Sequence, residues 1–250
     1  MILTLTLSQL YPGKYGKELR RLLQNYSSQN HITLGYDRAR AEMYGYVYND
    51  AQDQAVYCVY TGLRIPCQYN SMRSSCSGDL NCEHTVPQSL FKKLDPMVSD
   101  LHHLRPSWKT ANSARANFPF EQLTPQFINS YYGNYKQVQF EQPSDLENWS
   151  ALETDNAFMP RDEQKGDTAR AVAYFYTRYP TEGGNIDQVF NYVDTMIEWD
   201  LTHSPSDLQY EQYLRAVEVQ GNRNPFQEEI GLSARAYCDM SVKFPCSKYQ

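Results

Sequence analysis

The chain has 250 residues, of which 41% are hydrophobic, and a formal net charge of −6. That length and apolar content can bury a substantial core and predict one domain over residues 1–250. The acidic balance excludes binding of a polyanion through overall charge alone. No segment approaches the ~18 consecutive apolar residues of a membrane span, so no membrane partner is expected.

Taken in chain order, the start, Met1 to Leu7, alternates like a strand. It lacks a basic leader and a small-residue cleavage site, so export calls for a presequence ahead of it. Residues 16–24 and 37–44 read as helices, 56–60 as a strand, and 66–80 as a loop rich in Ser, Gly and Cys. A helix is expected over 108–117. Residues 119–165, rich in Pro, Gln, Asn and acids, are expected to be mostly irregular. Asp167 can N-cap a helix running to Tyr179 before Pro180, with Ala169, Val172, Ala173 and Tyr176 on one face. Arg170 then sits in a first turn, where the helix dipole disfavours a cation, and calls for an anionic partner, phosphate or carboxylate. Further helices are expected at 186–199 and 206–219. The fold class is α+β, helix-rich.

Six cysteines fall as Cys58, Cys67, Cys76 and Cys82, then Cys238 and Cys246. An even, clustered count predicts disulfides and an exported protein, with the pairing left open.

The densest chemistry lies between Cys82 and Phe118. Cys82-Glu83-His84-Thr85-Val86-Pro87 is followed by Asp100-Leu101-His102-His103-Leu104-Arg105-Pro106 and by Asn112-Ser113-Ala114-Arg115-Ala116-Asn117-Phe118, so three of the five histidines share one window. Hydrolysis of a phosphodiester needs a base that works near neutral pH, which imidazole is, and His84 is the candidate. It also needs a hard cation on the developing charge. Mg²⁺ takes a few protein oxygens and keeps water and phosphate oxygens as its other ligands, and Glu83 and Asn112 offer such oxygens. Adjacent strand residues point to opposite faces, so Glu83 and His84 share a site only where the strand ends, as Pro87 suggests. Arg115, one turn from Asn112, suits bidentate contact with phosphate as a catalytic group. Arg105, Arg170 and Arg223 are further candidates for phosphate contacts. Asp100 and His102 read as a structural hydrogen-bonded pair, and His31 and His203 as solvated.

These three elements, in this order, resemble the endonuclease I family of non-specific nucleases within the ββα-metal (His-Me finger) superfamily. Tyr57 to Gly62, Gly166-Asp167-Thr168-Ala169-Arg170 and Gln220-Gly221-Asn222-Arg223-Asn224-Pro225-Phe226 are similar too, so the resemblance spans roughly residues 36–226. It implies a ββα-metal motif around residues 82–118, His84 as general base, one Mg²⁺ on Glu83 and Asn112 with Mn²⁺ or Ca²⁺ as binding substitutes, and 5′-phosphate products. It implies export as well. Some relatives place an arginine for the scissile phosphate in a long insertion before the Asp-Leu-His element. Here about a dozen residues separate Pro87 from Asp100, and His103 stands where several relatives have Asn.

Other site classes fit poorly. There is no Cys-x-x-Cys pair for zinc, no His-Glu-x-x-His helix, and no glycine-rich nucleotide loop. Residues 88–118 carry five bases against two acids, whereas residues 141–167 carry eight acids against two bases. A locally positive cleft on an acidic body is therefore expected. The leading expectation is a secreted or periplasmic Mg²⁺-dependent endonuclease acting on DNA and RNA, with no obligate protein partner. The alternatives are a catalytically silent nucleic-acid binder and a disulfide-stabilised extracellular interaction protein.

Overall fold

The computed structural model describes residues 9–69, 76, 78–133, 136–139 and 141–249; the strand expected at Met1 to Leu7 lies outside the described residues. Helix α1 (Gly16–Ser28) buries Leu19, Leu23 and Ser27, a four-residue repeat that makes one apolar stripe. Helix α2 (Tyr36–Glu42) runs on into a π-helical turn, Met43–Val47. Strands β1 (Asn49–Asp50), β2 (Ala55–Tyr57) and β3 (Arg64–Pro66) form an antiparallel sheet in that order. The strand expected over 56–60 stops at Tyr57, because Cys58 N–H donates to the Leu63 carbonyl and Gly62 N–H to the Cys58 carbonyl, closing a turn.

The expected ββα unit is present. Strands β4 (Leu80–His84) and β5 (Leu104–Trp108) pair antiparallel from Leu80 opposite Trp108 to His84 opposite Leu104, and α3 (Lys109–Arg115) follows without a break.

Residues 119–165 are not mostly irregular. They hold β6 (Ser130–Gly133), β7 (Lys136–Gln139), β8 (Ser150–Glu153) and β9 (Ala157–Met159), hydrogen-bonded in the order β7-β6-β8-β9. Strands of three or four residues are too short to show alternation in a sequence dominated by polar turns. Their pairing comes from burial: Tyr131, Tyr132, Ala151, Leu152 and Phe158 belong to the main core.

Helix α4 (Asp162–Arg178) runs through that core, with every residue from Gln164 to Thr177 buried. It begins five residues before Asp167, with Asp162 and Glu163 in the first turn where the dipole favours acids. Asp167 is therefore not an N-cap and Arg170 is not in a first turn. Gly166 is required on this helix, since an added Cβ would lie 2.0 Å from the His203 carbonyl oxygen.

The helix expected over 186–199 is interrupted. A 3-10 turn at Ile186–Gln188 precedes α5 (Val193–Thr202). Between them Phe120 N–H donates to the Val189 carbonyl and Asn191 N–H to the Phe120 carbonyl, so a bridge to a distant segment takes groups a helix would need. Helix α6 (Asp207–Gln220) forms as expected, with Ser206 and Gln209 in a reciprocal capping box. Two short helices, α7 (Pro225–Glu228) and α8 (Leu232–Ala236), complete the described helices.

The disulfides are Cys67–Cys76 and Cys238–Cys246. Cys58 and Cys82 are free thiols, which corrects the expectation that all the cysteines would bridge. Each is buried among apolar side chains, Cys58 with Leu63 and Ile65, Cys82 with Leu101 and Leu104. Burial pushes both thiols up to about 12 and keeps them protonated.

Asp100 ties the motif to the helices. Its buried carboxylate accepts from the Tyr174 and Tyr179 hydroxyls at 2.8 and 2.7 Å, the Gln220 amide at 2.8 Å and the His102 backbone N–H at 3.0 Å. The pair with His102 is thus made through the backbone, and the His102 ring N–H donates instead to the Asn222 carbonyl. Burial opposes the Asp100 charge, but His102, His103, His31 and the Gln220 amide outweigh it and hold the pKa below the ordinary 3.8. A carboxylate whose pKa is depressed by folding contributes stability above its unfolded pKa and loses it as pH falls toward the folded value. Asp100→Asn is expected to cost about 3 kcal/mol at pH 7, roughly 6–12 °C in Tm for a chain of this size. Its stability should also vary less than the wild type's between pH 4 and pH 2. Thermal melts across that range check both, and an unchanged Tm at pH 7 would remove Asp100 from the scaffold.

Candidate active site

Strand β4 ends at His84, so Glu83 and His84 occupy the last two positions of a strand whose next residues turn away toward Pro87. Strand alternation sends the two side chains to different neighbours. The Glu83 carboxylate is buried and both of its recorded partners meet Oε1: the Tyr60 hydroxyl donates at 2.6 Å, and Arg115 Nη1 lies at 3.1 Å. Burial raises the Glu83 pKa, while Arg115 and the Tyr60 hydroxyl work to lower it. Tyr60 was legible only as part of the Tyr57 to Gly62 segment, with no role. What aims it is the turn after β2 together with Ser150, whose hydroxyl donates to the Tyr60 carbonyl at 2.6 Å.

The His84 ring N–H at Nε2 donates to the Val98 carbonyl at 3.1 Å, which leaves Nδ1 as the basic nitrogen. Tyr36, Phe91 and His103 surround the ring at centroid distances of 5.6, 6.1 and 5.6 Å. Burial first, then the neighbouring His103, Arg115 and Lys93, push its pKa down to about 3. The imidazole is therefore neutral, the form that accepts a proton, across the whole neutral range. His103 is buried as well, its Nε2–H donating to the Met97 carbonyl at 2.7 Å while Nδ1 has no partner among the described residues.

Helix α3 packs on β4 and β5, and its Arg115 reaches Glu83 and His84 at this end of the hairpin. Asn112 Oδ1 is buried and has no hydrogen-bond partner among the described residues. A buried amide oxygen left unpaired costs about 1–3 kcal/mol, and such an atom calls for an explanation. One turn on, Arg115 is 1% exposed: besides Glu83 it donates to the His84 and Thr85 carbonyls at 3.2 and 2.9 Å and lies over the Phe120 ring. Its Nη1 and Nη2 are bonded within the protein and hold the end of β4 in place, while Nε has no partner among the described residues; the sequence suggested contact with phosphate.

The other arginines are placed likewise. Arg105 is buried against Asp167, with its Nε 2.6 Å from Oδ2 and Nη2 3.0 Å from Oδ1. Arg170, fully buried, meets Asp200 at 3.5 Å, the Gln227 amide oxygen at 3.1 Å and the His203 carbonyl at 2.9 Å. The anionic partner expected for it is thus a carboxylate. Arg223 is exposed and paired with Glu228. Asp167, Gln227 and Arg170 form one buried chain of polar contacts, which is the physical content of the Gly166 to Arg170 and Gln220 to Phe226 segments. With Arg105 and Arg115 internal, the positive window counted over 88–118 leaves Lys92, Lys93 and Lys109 as its exposed bases. Lys92 and Lys93 are consecutive residues at φ 55° and 57°, a conformation uncommon outside glycine. His31 is not simply solvated: both its ring nitrogens are buried without partners among the described residues.

No group of three or more His, Cys, Asp or Glu side chains that could hold a metal occurs among the described residues. A Mg²⁺ ion does not need one. The donor set here is one carboxylate and one unpaired amide oxygen, hard ligands that leave the remaining positions to water and phosphate.

The fold is α+β, and the family to which the chain belongs is one of nucleases, hydrolases of nucleic acid. The chain belongs to the Endonuclease I family, whose model matches residues 8–230. It is similar to the extracellular ribonuclease of Bacillus subtilis (strain 168), 26% identical over 235 residues that cover 86% of this chain and 72% of that protein. It is also similar to the extracellular ribonuclease of Bacillus amyloliquefaciens, 27% identical over 230 residues with the same coverage of both chains.

Proposed function

We propose that the protein is an exported, Mg²⁺-dependent endonuclease that hydrolyses DNA and RNA without strong sequence preference, leaving 5′-phosphate and 3′-hydroxyl ends. The observation that carries this reading is the buried Oδ1 of Asn112, unpaired among the described residues, on the helix that clamps Glu83, one residue from a neutral His84 whose Nε2 is the nitrogen bonded to the protein. In the proposed reaction His84 Nδ1 takes a proton from water as its oxygen attacks phosphorus, the bond to the 3′ oxygen breaks, and that oxygen takes a proton from a solvent water to become the 3′-hydroxyl. The Val98 carbonyl fixes the ring's tautomer for that transfer. Arg115 and Tyr60 orient Glu83 through Oε1 and favour its ionised form against the burial that raises its pKa. When bound by Glu83 and Asn112, Mg²⁺ supplies positive charge against the phosphate and leaving oxygens. The two disulfides and the relatives named extracellular support export, and those relatives' names support RNA as a substrate.

Plasmid DNA and a structured RNA, each incubated with protein and Mg²⁺ and again with excess chelator, test this. Both substrates should be degraded, to fragments that carry 5′-phosphates, and chelation should remove at least about 99% of the rate. Full activity in chelator would refute the metal's role. Binding without cleavage would favour a silent nucleic-acid binder.

A further inference from the structure

A cleft of about 760 Å³ lies between α1 and the end of α4, away from Glu83 and Asn112. One wall is Lys17, Arg20, Arg21 and Gln24, the spacing that keeps side chains on one face of a helix. Tyr176 and Asn185 are on the opposite wall. Arg20 is held by Asp239 at 2.5 and 3.0 Å, and Glu18 is engaged by Lys14. Lys17 and Arg21 are exposed and have no acidic partner among the described residues. Lys17 also stands in the first turn of α1, where the helix dipole disfavours a cation. Two uncompensated cations lining one cleft, on a chain of net charge −6, are complementary to an anion that comes from outside.

The cleft lies across packed aromatic core from the active site. From His84 the rings of Phe91, Phe175 and Tyr176 follow one another at 6.1, 5.4 and 5.6 Å, and Tyr176 forms part of the cleft wall. The loop on the far wall meets the segment after His84, since a Cβ on Gly184 would lie 3.9 Å from Leu90. Four residues at 1.5 Å each set Lys17 and Arg21 about 6 Å apart along α1, enough to meet separate phosphates, which rise ~3.4 Å apiece along a strand.

We propose that this cleft is a second binding track, which takes the sugar-phosphate backbone of one substrate strand a few nucleotides from the scissile bond, with Lys17 and Arg21 as its phosphate contacts. The inference rests on the nuclease reading above. It makes the enzyme favour long strands over short ones without reading bases.

The test is the double variant Lys17→Gln/Arg21→Gln, beside the charge-conserving Lys17→Arg/Arg21→Lys, each in the whole chain with Mg²⁺. Both side chains are exposed and free of acidic partners, so thermal melts should match the wild type. On a trinucleotide, too short to span both places, kcat/KM should be unchanged. On a 30-nucleotide single strand KM should rise about five- to tenfold with kcat held, and the dependence of log KM on log salt should flatten by about 1.4, two contacts at ~0.7 each. The charge-conserving variant should keep both. Equal KM and equal salt slope in wild type and double variant would overturn the track. Anisotropy of a labelled 30-mer in chelator, where no cleavage is expected, separates the two readings. If the wild type proves inactive yet binds the 30-mer more tightly than the Gln variant does, the track stands and the nuclease reading falls. Equal binding in that assay removes the track.

Discussion

His84→Ala is expected to lower turnover by roughly 10²–10⁴ while leaving Mg²⁺ affinity and substrate binding near wild type, because loss of a general base acts on the transition state. The geometry makes this specific. Nε2–H is committed to the Val98 carbonyl, so proton transfer falls to Nδ1. With the ring pKa at about 3, the base is already neutral at pH 6, and the acid limb of the rate profile should lie well below the ordinary histidine value. The ring is packed by Tyr36, Phe91 and His103, so a melt of His84→Ala beside His84→Gln is needed to separate lost stability from lost chemistry. Turnover and Mg²⁺ titration calorimetry on these variants, with Asn112→Ala alongside, distinguish the roles. Asn112→Ala should bind Mg²⁺ more weakly and recover part of its rate at high Mg²⁺. Recovery of His84→Ala by Mg²⁺, with none for Asn112→Ala, would invert the assignment.

Arg115→Ala is expected to be damaging twice over. Removing one partner of a buried ion pair typically costs about 3–5 kcal/mol, since it leaves the other charge uncompensated. Here it also frees the His84 and Thr85 carbonyls that fasten the end of β4. The second effect is on Glu83. Burial already raises that carboxyl and Arg115 is the main influence lowering it, so the variant's Glu83 should stay protonated to higher pH. A protonated carboxyl is a poor Mg²⁺ ligand, so the acid limb of activity should move upward, with partial recovery as pH rises. Arg105→Ala is the control. It should lose stability of the same order through Asp167, and its acid limb should not move. Rate against pH for both, on protein shown folded by near-UV circular dichroism, decides the matter. An unshifted limb in Arg115→Ala would return Arg115 to the role of phosphate contact that its spacing from Asn112 suggested.

The sequence by itself determined the parts whose chemistry is local. Pro87 marked the end of β4 and the helical run over 206–219 marked α6, because breakers and helical patterns act over a few residues, and the resemblance carried by Glu83, His84 and Asn112 implied a ββα unit. The Endonuclease I family was legible for the same reason. Tertiary structure decided whatever depends on who meets whom. Arg105, Arg115 and Arg170 read as candidates for phosphate contact, because an isolated guanidinium is costly to bury. Asp167, Glu83 and Asp200 make burial tolerable, and none of the three is within ten residues of its partner in the chain. The short strands β6 to β9 carry no periodicity of their own and exist through pairing and the core beneath them. Cys58 and Cys82 remain thiols because each is enclosed in its own apolar cluster, a matter of packing that a count of cysteines does not contain.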